Sequence, residues 1–348
     1  MIRLLSSFLL CFMLPSFLLA QMGGNNTYEF LNLTSSARVA ALGGNQIAVK
    51  DDDLFLGIEN PALLNKEMDN KLAMTYVGYL ADINYGVASY AKHFDSVGTF
   101  NLGVKYIDYG DFIETDQAGN ETGGFTAGEY AFVLGYGRQL DSNFSVGANI
   151  KTIYSSFYDY SSLGIAADLG LTYHLDKHGL TVSLLGKNMG RQLSTYVENQ
   201  EKEDLPFEIQ MGVSKRLDKV PIRFGLIFQH LQQWDLQYEN PNDKQESSIL
   251  TDANEQEDKE PGFFDNLGRH IIFNAEFMLT ENFNIRFGYN YLRRAELKID
   301  EQLGTVGISW GVGMRISKFH LSYGRSAYHQ AGATNTFSVS TRLSDFIN

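Results

Sequence analysis

The feature that most constrains this chain is a period of two running through unusually long segments. In 144–154, Phe144, Val146, Ala148, Ile150, Thr152 and Tyr154 share one side, while Ser145, Gly147, Asn149 and Lys151 share the other. The stretch 283–291 repeats it, with Phe283, Ile285, Phe287, Tyr289 and Tyr291 against Asn284, Arg286, Gly288 and Asn290. Strand side chains point alternately to opposite faces, so each stretch reads as a strand with an apolar and a polar side. A soluble sandwich also alternates. Length separates the two readings. The stretches here run about nine to fifteen residues, whereas soluble strands cluster at about five to six and tilted strands crossing lipid need about nine to eleven.

Fourteen such stretches can be placed: 71–80, 83–93, 97–109, 126–138, 143–156, 162–174, 179–187, 206–216, 221–235, 269–279, 282–292, 303–315, 318–325 and 334–344. The number is even, as a single-chain bacterial outer-membrane barrel requires, and such barrels alternate short periplasmic turns with longer outer loops. Short connections fall at 94–96, 139–142, 175–178, 217–220, 280–281 and 316–317. Between them lie 110–125, 157–161, 188–205, 236–268, 293–302 and 326–333, of which only 157–161 is brief, and the first hairpin around Ala81 and Asp82 is tight although parity places it outside. The expected fold is therefore all-β, a transmembrane antiparallel barrel over 71–348 with both barrel ends in the periplasm.

Arg3 followed by the apolar run to Ala20 has the form of a secretory signal, so 1–20 is expected to be removed. The one cysteine, Cys11, goes with it, and loss of Arg3 takes the net charge from −13 to −14. An exported, cysteine-free product suits a bacterial envelope. The acidic balance makes nucleic acid an unsuitable partner. No run of 18 apolar residues remains after residue 20, so no transmembrane helix is expected.

Residues 21–70 do not alternate. Ser35 or Ser36 can cap a short helix over Ala37 to Leu42, which Gly43 and Gly44 end. Asn60 ahead of Pro61 is a second capping signal. The segment reads as a lumen plug or as a periplasmic collar beneath the barrel. Asn149, Lys151, Asn284, Arg286 and Asn290 lie on inward faces and are candidates to line a permeation path or to bond a plug.

Several runs in this region resemble one family. These are Asn25-Asn26-Thr27-Tyr28-Glu29-Phe30-Leu31, Ser36 through Gly43-Gly44, Asp51-Asp52-Asp53-Leu54, and Glu59-Asn60-Pro61-Ala62-Leu63-Leu64. Together they resemble the PorQ family of the type IX secretion system of Bacteroidota, which is similar to fourteen-stranded FadL-like barrels; Asn60-Pro61-Ala62 is shared with FadL-like barrels more broadly, the related PorV among them. The resemblance implies a non-enzymatic outer-membrane component that anchors the cell-surface attachment complex for secreted cargo. It also implies the surface protein PorZ, the sortase PorU and PorV as partners. Phe346 departs from the usual pattern of barrels that finish on an aromatic, because two residues follow it.

A search for chemistry finds no H-E-x-x-H, C-x-x-C, G-x-S-x-G or P-loop. His174 and His178 flank an expected turn, and Gly124-Phe125-Thr126-Ala127-Gly128 precedes a strand where a nucleophile elbow must follow one. Asp51, Asp52 and Asp53 could hold a hard cation, but a capping or solvated acidic turn fits them better. No catalytic residue, cofactor or metal is expected. The long loop 236–268 carries nine acids between Glu239 and Asp265 against Lys244 and Lys259. It reads as a solvated outer loop, or as a surface for a basic partner or a cation bridge to lipopolysaccharide. Three functions stay open: the anchoring component, a FadL-like channel for hydrophobic small molecules or a PorV-like cargo shuttle on the same barrel, and a periplasmic all-β module.

Overall fold

Fourteen antiparallel strands close into one ring in the computed structural model, which describes residues 26–79, 82–236, 262–297, 304–329 and 332–346. The expected signal segment, Asn25 and positions 237–261 of the acidic loop lie outside the described residues. The strands are β1 Lys71–Gly78, β2 Asn84–Phe94, β3 Gly98–Thr115, β4 Glu121–Gln139, β5 Phe144–Phe157, β6 Tyr160–Leu175 and β7 Leu180–Ser194. They continue as β8 Glu208–Arg216, β9 Ile222–Phe228, β10 Ile271–Thr280, β11 Phe283–Asn290, β12 Ile308–Ile316, β13 Phe319–His329 and β14 Gly332–Arg342. Each pairs with its sequence neighbours, and β1 seals the ring against β14 from Lys71↔Arg342 to Gly78↔Asn335. Closure removes every free edge, the condition under which a sheet can stand in hydrocarbon. Among the described residues no helix is long and apolar enough to cross a membrane.

The alternation resolves into an outward apolar and an inward polar face. Leu102 is 65% exposed and Ile150 54%, whereas inward Asn149 is fully covered and Arg286 is 1% exposed. Such an inversion, with polar groups buried and large apolar groups outside, fits a wall that meets lipid rather than water. At one end, the turn end, strands are joined by connections of two to five residues, as at 95–97, 140–143 and 281–282. Asp141 shows why the 140–143 turn forms: its Oδ1 accepts from Asn143 N at 2.7 Å and Phe144 N at 2.8 Å. Those two bonds hold its carboxyl below the ordinary value. In the related turn after β6, Asp176 instead accepts from His174 Nε2 at 2.7 Å.

The opposite, loop end differs from expectation in several places, among them β7, which runs on to Ser194 through the first part of the connection expected at 188–205, and β12, which begins only at Ile308. The connection expected at 110–125 is mostly strand: β3 and β4, of 18 and 19 residues, pair on past a bulge at Asp108/Asp111. Above Asp108↔Asn84 on β2 and Ala127↔Phe157 on β5 they have only each other, a two-stranded ribbon with Phe112 stacked on Phe125 at 5.0 Å. The stretch expected at 326–333 is likewise absorbed into β13 and β14. The strand expected over 221–235 stops at Phe228, and short helices Phe263–Arg269 and Tyr291–Leu297 cover the rim beside β10 and β11.

Candidate functional site

Residues 26–70 pass through the ring, beginning at the loop end and finishing at the turn end. Thr27 N donates to Asp204 O at 2.9 Å in the connection between β7 and β8. The Tyr28 hydroxyl bonds Ser162 Oγ at the start of β6, and Asn26 Nδ2 donates to Glu29 Oε1 at 3.2 Å. Tyr28, Phe30 and Leu31 pack against inward Val77, Tyr85, Ile107, Ala131 and Ile153. At the other end Leu343 N donates to Asn70 O at 2.8 Å and His93 N to Asp69 Oδ1 at 2.8 Å.

Between these ends, two helical turns brace the segment. Helix α1, Ala37–Ala41, is capped by Ser36 Oγ, which accepts from Val39 N at 3.2 Å, and is ended by Gly43 and Gly44 at φ of 96° and 102°. Ala37 N donates to Ser338 Oγ at 2.8 Å, and Ala40 O accepts from Ser326 Oγ at 2.8 Å. Helix α2, Leu54–Glu59, is capped by Asp53, and Asn60 Oδ1 caps the next turn by accepting from Ala62 N at 3.0 Å. Asn60 Nδ2 also donates to Ile47 O at 2.8 Å and Thr172 Oγ1 at 3.3 Å, tying plug to plug and plug to wall. Pro61 and Ala62 lie directly on the wall. A Cβ on Gly147 would stand 2.2 Å from Pro61 C, and one on Gly170 would stand 2.2 Å from Asn60 Oδ1. Such close backbone approach leaves room only for glycine.

Arg38 carries the main electrostatic junction. Its five N–H donors are all used. Nε donates to Glu276 Oε1 at 2.8 Å, Nη1 to Asp51 Oδ1 at 3.2 Å and Asp53 Oδ2 at 3.1 Å, and Nη2 to Asp51 Oδ2 at 2.8 Å and Glu276 Oε2 at 2.9 Å. Glu276 also accepts from Arg223 Nη1 at 2.7 Å and Arg286 Nε at 3.0 Å. These wall groups occupy one register row, Arg223↔Glu276↔Arg286 on β9, β10 and β11. Three guanidinium groups meet three carboxylates, so the buried junction is neutral, the condition for tolerating charge in a low dielectric. Asp52 pairs with Lys71 at the edge of the same cluster.

A second junction joins α2 to the other side of the ring. Lys151 Nζ reaches Asp168 Oδ1 at 2.7 Å and Asn188 Oδ1 at 2.7 Å, and Asn149 Nδ2 donates to Asp168 Oδ2 at 2.9 Å. Lys187 Nζ stands 3.5 Å from Glu59 Oε2, and Ser35 N donates to Glu59 Oε1 at 3.1 Å. The void left here is about 30 Å³, room for a water or two. Glu59→Gln takes the carboxylate away from Lys187, so proteolysis within 26–70 in detergent is expected to be faster than in wild type; equal rates would show that the Glu59–Lys187 pair does not hold this part of the segment.

The five inward candidates thus fall into different places. Asn149 and Lys151 belong to the second junction and Arg286 to the first. Asn290 Nδ2 donates to Gly43 O at 3.2 Å, while Asn284, half-buried, lines a vestibule at the turn end. Sequence reading did not single out Glu276, Arg223, Asp168 or Lys187 as site residues. Each is a charged residue on the inward parity of an alternating strand, and that was the available signal. Among the described residues no three His, Cys, Asp or Glu side chains are grouped to hold a metal ion.

No family model and no curated protein matches the chain. Solved structures of similar outline include the Pseudomonas putida toluene transporter TodX, at 11% identity and TM-score 0.46 over 88% of this chain and 96% of that one. A TodX deltaS2S3 mutant monoaromatic hydrocarbon channel gives 12% and 0.49 over 88% and 99%. A Pseudomonas aeruginosa FadL homologue gives 9% and 0.48 over 88% and 97%. These values transfer no residue role to this chain.

Proposed function

We propose that this chain is an outer-membrane barrel that works as a non-enzymatic surface-anchoring component of a type IX secretion system. The observation that carries the reading is the occupied lumen. Segment 26–70 is bonded to the wall through Arg38, Asn60, Glu59 and Tyr28, and the void between its two halves is about 30 Å³. A barrel filled in this way is suited to holding something at the membrane surface. The ribbon of β3 and β4 rises at the loop end, the end we assign to the cell exterior. By the resemblance of the 25–64 motifs, the partners are PorZ, PorU and PorV, with lipid and lipopolysaccharide around the wall. Deleting the protein is expected to release normally surface-bound cargo into the medium, and pull-down from detergent-solubilised outer membrane should recover a surface partner. Unchanged attachment would overturn the reading.

A channel for hydrophobic small molecules is the second reading. It is favoured by an apolar groove of about 570 Å³ on the outer wall, lined by Met74, Tyr76, Tyr106, Met314, Leu321 and Phe337. Passage inward would require the plug to move. Impaired uptake of a hydrophobic solute on deletion, with cargo attachment intact, would select this reading.

A further inference from the structure

The vestibule at the turn end, about 490 Å³, has its buried carboxylates fully engaged. Asp51, Asp53 and Glu276 are taken up by Arg38, Arg223 and Arg286. Arg216 is left over. It is the last residue of β8, faces inward by parity, and sits directly opposite Arg223 in the β8–β9 register. Among the described residues it makes no ion pair with a carboxylate, although it too lines the vestibule. Like charges at facing positions on neighbouring strands repel. Arg223 is only 12% exposed, and among the described residues its side chain is seen to donate only through Nη1, to Glu276 and Asp51. Glu281, on the β10–β11 turn, is exposed and stands against this excess at the rim.

We propose that Arg216 and Arg223 form a clamp for a phosphate-class oxyanion entering from the turn end. A guanidinium fork matches the paired oxygens of phosphate, and two forks side by side can share one tetrahedral group. A phosphate group brings negative charge to Arg216, the one of the two without a carboxylate, and its several oxygens let it reach the fork of Arg223 as well. Free phosphate and the head group of a phosphomonoester lipid both present this oxyanion.

The test uses the full-length chain purified in detergent. Inorganic phosphate is titrated calorimetrically, and phosphatidic acid is offered in mixed micelles and followed by native mass spectrometry. Saturable binding of either is expected, weakened about tenfold or more in Arg216→Gln and partly retained in Arg216→Lys, which keeps the charge and loses the fork. Phosphate binding alone assigns a soluble ligand; retention of the lipid alone assigns a head group. Arg216 is exposed at a strand end, so Arg216→Gln should keep the wild-type heat-dependent gel mobility. Binding of neither probe, or equal binding by wild type and Arg216→Gln, would overturn the proposal.

Discussion

Glu276→Gln is expected to free the plug from the wall. The substitution leaves Arg38, Arg223 and Arg286 facing one another with the wall carboxylate gone, while Asp51 and Asp53 remain on the plug side. Removing one member of a buried charge cluster costs about 3–5 kcal/mol because the others are stranded without compensation. The expected results are a lower midpoint for heat-dependent unfolding in detergent and rapid proteolysis within 26–70, with the ring of strands still formed. Arg38→Met combined with Glu276→Met should recover part of the loss, since removing one charge of each sign leaves two guanidinium groups against two carboxylates. Proteolysis of Glu276→Gln indistinguishable from wild type would show that the junction does not hold the plug.

Gly147→Val tests the opposite face of the same segment. Any Cβ there falls 2.2 Å from Pro61 C and 2.3 Å from Pro61 O, both backbone atoms that cannot rotate away. Overpacking ordinarily costs about 1–3 kcal/mol, and the upper part of that range or beyond is expected where backbone must shift. Gly78 supplies the control, because a Cβ at that position meets nothing within 4 Å. Gly78→Ala should leave protease protection of 26–70 unchanged, and Gly147→Val should abolish it. Equal protection in both variants would mean that the Pro61 turn is not pressed against the wall.

Much of the ring was readable from the chain because a lipid-facing strand must alternate along its whole length. In β5 the outward Ile150 and Tyr154 and the inward Asn149 and Lys151 fall as parity requires. The loop end was less legible. Tyr291 continues the period of two of Phe287 and Tyr289 past the end of β11, yet Asn290 Oδ1 accepts from Arg293 N at 3.1 Å and opens a helix instead. A capping side chain overrides periodicity there, just as cross-strand pairing turns the glycine-rich stretch after Asp108 into ribbon. The candidate site was half visible. Arg286 and Asp51 could be marked by position, but their meeting with Arg38 and Glu276 could not. It depends on the N-terminal segment being folded among strands more than two hundred residues later in the chain, such as Glu276 against Arg38.

The seam between β1 and β14 has a consequence for biogenesis. Residues 26–70 immediately precede β1, and their far end is tied to Asp204 at the opposite mouth. A cylinder sealed beforehand would have to admit this peptide lengthwise past side chains that already fill its bore. The workable order is the reverse: the leading peptide settles onto a still-open curved sheet, and the first and last hairpins zip together around it. A chain truncated before its final strand should accumulate as an unsealed, protease-sensitive intermediate.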